Sequence, residues 1–255
     1  MNTVKVNGMQ LAYERIGSGQ TPLVLVHGYP LDHSIWKEVL PLLEVDFDVI
    51  LPDLRGFGQS EAVRAQFTLK DMAGDILGLL DRLNIETAVI AGHSMGGYIS
   101  LAFARDWPER IAGLGLIASQ TQADTPERKQ ARYAAAEEIM RSGVDAVAED
   151  ISPKLTPDKR VQVFVRDLIA KQRPVGLAGA LKAMAEREDT TMLLPGFRFR
   201  VAVIHGEADV LIPVERAREI REVLSGAQLL ILSGVGHMPM MEAPRVVAET
   251  LKLLK

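Results

Sequence analysis

Apolar residues fall into two patterns that alternate along this chain. The first is a short unbroken run. Pro22-Leu23-Val24-Leu25-Val26-His27 is one example, and it recurs at Val49-Ile50-Leu51, Ala88-Val89-Ile90-Ala91, Leu114-Gly115-Leu116-Ile117, Val201-Ala202-Val203-Ile204 and Leu229-Leu230-Ile231-Leu232. A strand reads this way when both its faces are buried, as in a parallel sheet covered by helices. The second pattern is helical spacing. Ser34–Leu43 sets Ile35, Val39, Leu42 and Leu43 on one face. Thr68-Leu69-Lys70-Asp71 resembles a capping box, with Asp in place of Glu or Gln, and opens a helix to about Leu83. Met95–Arg105, Pro213–Leu224 and Glu242–Leu254 are further helical stretches. At the front, the alternating runs Thr3–Val6 and Leu11–Arg15 flank Asn7-Gly8, a hairpin signal. Strands alternating with helices predict an α/β fold with a mostly parallel central sheet flanked by helices.

Residues from about 120 to 196 break the alternation. They carry no strand pattern and are rich in Ala, Glu and Arg. Thr125-Pro126 and Thr156-Pro157 each place a capping threonine before a proline at the first helical position, and a further helix is expected near Pro174. The expected organisation is a core of residues 1–119 and 197–255 carrying an all-helical cap, residues 120–196. The plainer alternative is an extra helical layer with no role in the site.

Composition narrows the function classes. A chain of 255 residues suits one domain, with or without an inserted subdomain. It is 47% hydrophobic and 24% charged, as ordinary soluble proteins are. A net charge of -4 gives no reason to expect nucleic-acid binding. With no cysteine, disulfides, thiolate metal sites and cysteine nucleophiles are excluded. The polar start has no signal-peptide pattern, and no apolar stretch approaches the roughly 18 residues of a membrane helix. A cytoplasmic protein without a membrane partner is the expectation. Oligomeric state is left open.

The chemistry begins at Gly92-His93-Ser94-Met95-Gly96, which follows one apolar run directly and precedes a helical stretch directly. The five-residue pattern alone arises often by chance; the strand before it and the helix after it make it specific. A nucleophilic serine has to stand on a sharp strand-to-helix turn, with glycines on either side so that neighbouring chain can pass. The helix that follows aims its N-terminus at the site and favours negative charge there.

Such a serine needs a base, and the base an orienting acid. Of five histidines, His237 is the best base, because it follows the last expected strand on a loop at the carboxyl edge of the sheet, where Ser94 also emerges. His93 should point away from Ser94, His205 is read as structural, His33 as a solvated loop residue, and His27 as a brace for its own loop. The acid should lie between Ser94 and His237 in chain order. Asp209 fits, with Glu207 as its near competitor. The N–H groups of Met95 and of Tyr29, in the loop His27-Gly28-Tyr29-Pro30, are the expected oxyanion donors. No metal or other cofactor is called for, and no histidines show H-x-x-x-H spacing.

Taken together, His27-Gly28, Asp53-Leu54-Arg55-Gly56-Phe57-Gly58-Gln59-Ser60, the elbow around Ser94, Gly206-Glu207-Ala208-Asp209 and Gly236-His237 resemble the α/β-hydrolase superfamily over nearly the whole chain. The resemblance implies Ser94, Asp209 and His237 as a triad, Tyr29 and Met95 as oxyanion donors, and a structural role for Asp53 and Arg55. The loop Gly28-Tyr29-Pro30, with Asp32 and Trp36, is similar to carboxylesterases and to cofactor-free haloperoxidases (perhydrolases). The same scaffold also resembles enol-lactonases and C–C bond hydrolases. Relatives that need an aspartate nucleophile at the elbow are excluded by Ser94. The expected reaction is cleavage of small or medium carboxylic esters by water through an acyl-enzyme, with perhydrolase-like or lactone-hydrolysing activity as the alternative. A noncatalytic small-molecule binder, or an interaction protein using the cap surface, is the remaining reading. Candidates for an apolar substrate pocket are Met140, Phe164, Leu168, Leu177 and Met184 in the cap, with Leu31 and Met238.

Overall fold

The strands are β1 (Asn2–Val6), β2 (Met9–Ile16), β3 (Thr21–Val26), β4 (Phe47–Pro52), β5 (Ala88–His93), β6 (Ile111–Ile117), β7 (Arg200–Gly206) and β8 (Gln228–Leu232). A computed structural model covering Met1–Lys255 places all eight in one sheet, in the order β1-β2-β4-β3-β5-β6-β7-β8. The β1–β2 hairpin is antiparallel and joins β4 antiparallel; β4, β3, β5, β6, β7 and β8 run parallel. Each expected strand is present.

The helices are α1 (Leu40–Leu43), α2 (Leu69–Arg82), α3 (Met95–Asp106), α4 (Pro126–Ser142), α5 (Asp145–Leu155), α6 (Lys159–Ile169), α7 (Pro174–Ala185), α8 (Glu215–Val223), α9 (Pro239–Glu242) and α10 (Pro244–Lys252). The unbroken runs acquire a reason here. Val24, Val26, Ile50 and Ile90 pack toward α2 and α3, while Leu23, Leu25, Val49, Leu51 and Val89 pack toward α1 and α10. Period-two side chains thus feed two separate cores, one on each face of the sheet. A third cluster lies under α8.

Several boundaries differ from expectation, each for a local reason. Ser34–Leu43 is not one helix. His33–Trp36 forms a 3₁₀ turn capped by the Asp32 side chain, and α1 starts at Leu40, because Pro41 cannot continue a preceding helix. Pro244 likewise divides the last helix into α9 and α10. The Thr156-Pro157 start is corrected: Asp158 caps α6 by accepting from the Arg160 N–H at 2.8 Å, and Thr156 instead follows α5. That helix was not anticipated, since it lacks a side-chain cap and carries Pro153. The expected capping threonines of α2 and α4 fare better. Thr68 and Asp71 exchange hydrogen bonds at the start of α2, and Thr125 caps α4.

Four helices, α4 to α7, lie between β6 and β7. They are tied to the loop after β4 through Gln172, which accepts from the Gly58 N–H at 3.0 Å, and Arg173, which donates to the carbonyls of Phe57, Gly58 and Ser60. That loop is itself locked. Asp53 accepts from the His33 N–H and ring and from the Gln59 N–H. Arg55 forms a two-pronged buried pair with Asp75 at 2.6 and 2.7 Å. The structural reading of Asp53 and Arg55 therefore holds. Removing one member of a buried pair strands the other charge. Asp75→Ala is expected to lower unfolding stability by about 3–5 kcal/mol, measured by denaturant titration; a loss under about 1 kcal/mol would mean that Arg55 finds water or another partner.

Candidate active site

Strands β3 and β5 are neighbours, with Val26 paired to Gly92. From β3 the chain moves outward to β4, and from β5 it moves the other way to β6. Loops from such a switch point open a crevice at the carboxyl edge of the sheet. The loop His27–Pro30 leaves β3 there, and Ser94 follows β5 there.

Ser94 sits at φ 52° and ψ −113°, a left-handed backbone that L-residues avoid. The turn is held in place. The Ser94 N–H donates to the Ile117 carbonyl at 2.9 Å, and the Ser119 hydroxyl donates to the Ser94 carbonyl at 2.9 Å. A side chain at position 92 would run into the Gly96 carbonyl, and one at position 96 into the Val26 carbonyl. The two glycines are thus what lets β5, α3 and β3 meet at this point. Met95 opens α3, so its N–H has no acceptor inside the helix. The Tyr29 N–H has no backbone acceptor either.

The expected acid and base follow β7 and β8, neighbours further along the same sheet. Asp209 follows β7 and His237 follows β8, and both are buried. His237 Nδ1 and Asp209 Oδ2 lie 2.6 Å apart. The other Asp209 oxygen accepts the N–H groups of Leu211 and Ile212 at 2.8 and 3.0 Å, and His205 Nε2 lies 3.3 Å from Oδ2. Burial alone would push the Asp209 carboxyl up, but the charge of His237 and hydrogen bonds from His205, His237 and Ile212 hold it well below the ordinary carboxylate range. Asp209 stays ionised, and its hydrogen bond places the proton of a neutral His237 on Nδ1. That leaves the lone pair on Nε2.

The other histidines have distinct tasks. His93 turns from Ser94 and donates from Nε2 to the His237 carbonyl at 2.8 Å. Its Nδ1 is buried without a partner, and burial, with the charge of His237, holds its pKa well below the usual value, so it stays neutral. His27 accepts the Leu54 N–H on Nε2 at 2.9 Å and donates from Nδ1 to the Gly28 carbonyl at 3.0 Å, bracing the loop that carries Tyr29. His33 is corrected. It is not a solvated loop residue, because its Nδ1 lies 2.6 Å from Asp53. Asp32, His33 and Asp53 lie close enough to share an ion. All three are already spent on hydrogen bonds: Asp32 accepts from the Ser34 N–H and hydroxyl and from Gln172, and Asp53 from His33 and Gln59.

The expected pocket residues divide. Leu177 and Met184 pack in one apolar cluster with Met95, while Leu31, Leu168 and Met238 pack in the other, with Phe164 half-buried beside them. Phe164 also carries the Lys37 ammonium over its ring at 3.8 Å. Met140 is corrected: it is 56% exposed on α4 and lines nothing internal. A separate cavity of about 220 Å³ lies beside α3 and α7, lined in part by Tyr98, Gln120, Thr121 and Arg187. It includes neither Ser94 nor any expected pocket residue. Sequence reasoning missed His205 as a neighbour of Asp209 and Glu242 as a partner of the His237 loop. For Glu242 a signal existed, an acidic residue five positions after His237.

The chain is similar to known proteins along most of its length. Residues 21–138 match the family described as alpha/beta hydrolase fold. The structure superposes on a thermophilic esterase from Thermogutta terrifontis with a TM-score of 0.93 and 36% identity, covering 98% of this chain and 95% of that one. An enol-lactonase from Burkholderia xenovorans gives a TM-score of 0.91 and 27% identity over the whole of both chains. Among curated relatives, the dihydrolipoyllysine-residue acetyltransferase component of the acetoin cleaving system of Pseudomonas putida is 33% identical over 92% of this chain. The present chain spans 63% of that relative's length.

Proposed function

We propose that this chain, which belongs to the α/β-hydrolase family, is a serine hydrolase that cleaves carboxylic esters of small or medium acyl chains. The observation that carries the reading is the backbone of Ser94. A residue is held at φ 52° only where the surroundings over-determine it, and such strain concentrates where chemistry needs it. Here it lifts one hydroxyl onto the edge where a buried Asp209–His237 pair waits.

In the proposed reaction, His237 Nε2 takes the proton of the Ser94 hydroxyl as its oxygen attacks the ester carbonyl. The N–H groups of Tyr29 and Met95 hold the oxyanion, and each donor is worth about 10²–10³ in rate. His237 returns the proton to the leaving alcohol, leaving Ser94 acylated. Water then attacks the acyl group with His237 as base, releasing acid and restoring the serine. Asp209 keeps the imidazole in the required tautomer and supports its positive charge.

The acyl preference rests on the apolar residues proposed to line the substrate pocket. Leu31, Leu168, Leu177, Met184 and Met238 are buried and apolar, and Phe164 is half-buried, so a charged acyl group would lose its solvation there. The residues 120–196 that supply four of these six are proposed to act as a cap. A lactone is a cyclic ester and enters the same sequence; the 27% identity to an enol-lactonase over both whole chains favours including it as a second reading.

An acyl-length series of p-nitrophenyl esters from acetate to laurate, run beside simple lactones, tests the assignment. Turnover is expected to peak at short or medium chains, and a fluorophosphonate probe is expected to label Ser94 stoichiometrically. No turnover across the series together with an unlabelled Ser94 would return the chain to the binding-protein reading.

A further inference from the structure

We infer that Glu242 is a positioning residue for the base, forming with Leu155 and His93 a clamp that fixes the backbone of His237 from every side. This rests on the proposed role of His237. Glu242 ends α9, five residues beyond His237, and the short helix turns its carboxylate back over the loop. One oxygen accepts the Gly236 N–H at 3.0 Å and the other the Met238 N–H at 3.1 Å. The residue between them is held by two further bonds. The His237 N–H donates to the Leu155 carbonyl at 2.8 Å, and the His237 carbonyl accepts from His93 Nε2 at 2.8 Å. Three successive N–H groups and one carbonyl are therefore tied to α9, to the end of α5 and to the elbow.

This satisfies more than backbone polarity. The Asp209 bond fixes the imidazole at Nδ1 only and leaves the ring free to swing with its backbone. Catalytic groups lose on the order of 10²-fold in rate for misplacement by about 1 Å. A glycine precedes His237, so the loop has no side chain of its own to hold it on that side. The carboxylate supplies what the sequence there omits, and both its oxygens are used, as two flanking donors require. The Leu155 carbonyl gives the clamp a second consequence. The helical segment α4–α7 reaches the base through this bond, so α5 cannot withdraw from the sheet edge while His237 stays aligned.

The charge of Glu242 is not there for stability. Burial raises its carboxyl above the usual value, only partly offset by the Gly236 and Met238 N–H groups and Thr156, and the charge of Asp158 adds to the rise. Holding it ionised therefore carries a burial cost that the N–H donors only partly offset.

The test compares wild type with Glu242→Gln and Glu242→Ala on the best p-nitrophenyl ester. Glutamine keeps one acceptor and offers an N–H₂ to the other donor; alanine keeps neither. The expected result is a fall in kcat of about tenfold for Gln and on the order of 10²-fold for Ala, with KM within about twofold. Faster amide exchange at Gly236–Met238 is expected in both. Wild-type kcat in Glu242→Gln, or a KM rise that accounts for the loss, overturns the positioning role. If Ser94→Ala abolishes turnover in the same assay, the hydrolase reading survives that outcome. A wild type that neither turns over nor labels removes the reading and this role together.

Discussion

If the proposed role of Ser94 is right, Ser94→Ala is expected to lower kcat/KM for the best ester by on the order of 10⁴–10⁶-fold and to abolish labelling by fluorophosphonate. The size follows from the role. Without the hydroxyl no acyl-enzyme forms, and what remains is slow attack by water on a carbonyl still polarised by the Tyr29 and Met95 N–H groups. KM is expected to change little, because the proposed apolar contacts with the acyl group are untouched. Stability separates this prediction from damage to the fold. Alanine inherits the φ of 52° and its strain, so the variant is expected to melt within a few degrees of wild type. Ser94→Gly goes further. Glycine adopts that backbone without penalty, and the relief is of order 1 kcal/mol or more. It should be as inactive as alanine yet more stable than the parent. A glycine variant less stable than the parent would mean that the strain at φ 52° is smaller than the unfolded-state entropy that glycine adds.

The candidate site was legible in the sequence where its constraints are local. The elbow is written within five residues, because one strand, one turn and one helix have to follow each other without interruption. The unbroken runs marked the six parallel strands for the same reason: both faces of β3 to β7 meet helices, so hardly a polar position breaks them, while β1 and β2 showed as alternating runs about a hairpin turn. The helical segment was legible as helices and poorly legible in its boundaries. α5 has no side-chain cap at its start, and the Asp158 cap of α6 competes with a Thr-Pro pair two residues before it.

What failed to show depends on contacts between distant segments. His33 looks like a loop residue until Asp53, twenty positions on, closes over it. Met140 sits at helical spacing with buried Ala136, yet it points outward on α4, since the inward stripe of that helix already packs on α7. The Leu155 carbonyl on the His237 N–H has no sequence signature, because any residue supplies a carbonyl. Glu242 and His205 carry side-chain chemistry that a motif could flag, but their value comes only from where α9 and β7 bring them.

Asp209→Asn should cost about 10⁴-fold in kcat while leaving the site assembled. The asparagine oxygen can keep the Leu211 and Ile212 N–H groups, which hold the loop. Its N–H₂ then faces His237 Nδ1, where the carboxylate oxygen was. A donor there demands a lone pair on Nδ1 and drives the ring proton to Nε2, the atom that must accept from Ser94. His205 does not rescue it, since its Nε2 already lies 2.9 Å from the Ile212 carbonyl and is available to neither partner as an acceptor. The same residue predicts how stability follows pH. The folded carboxyl lies far below the unfolded value of about 3.9, so Asp209 contributes its full stabilisation above about pH 4 and loses it as acidification approaches the folded value. Asparagine does not titrate. The melting-temperature gap between wild type and Asp209→Asn should therefore stay constant through neutral pH and narrow below about pH 4. A gap that holds unchanged to pH 3 would mean that the ionised carboxylate gains nothing from His237 in the folded state, and the orienting role would fall with it.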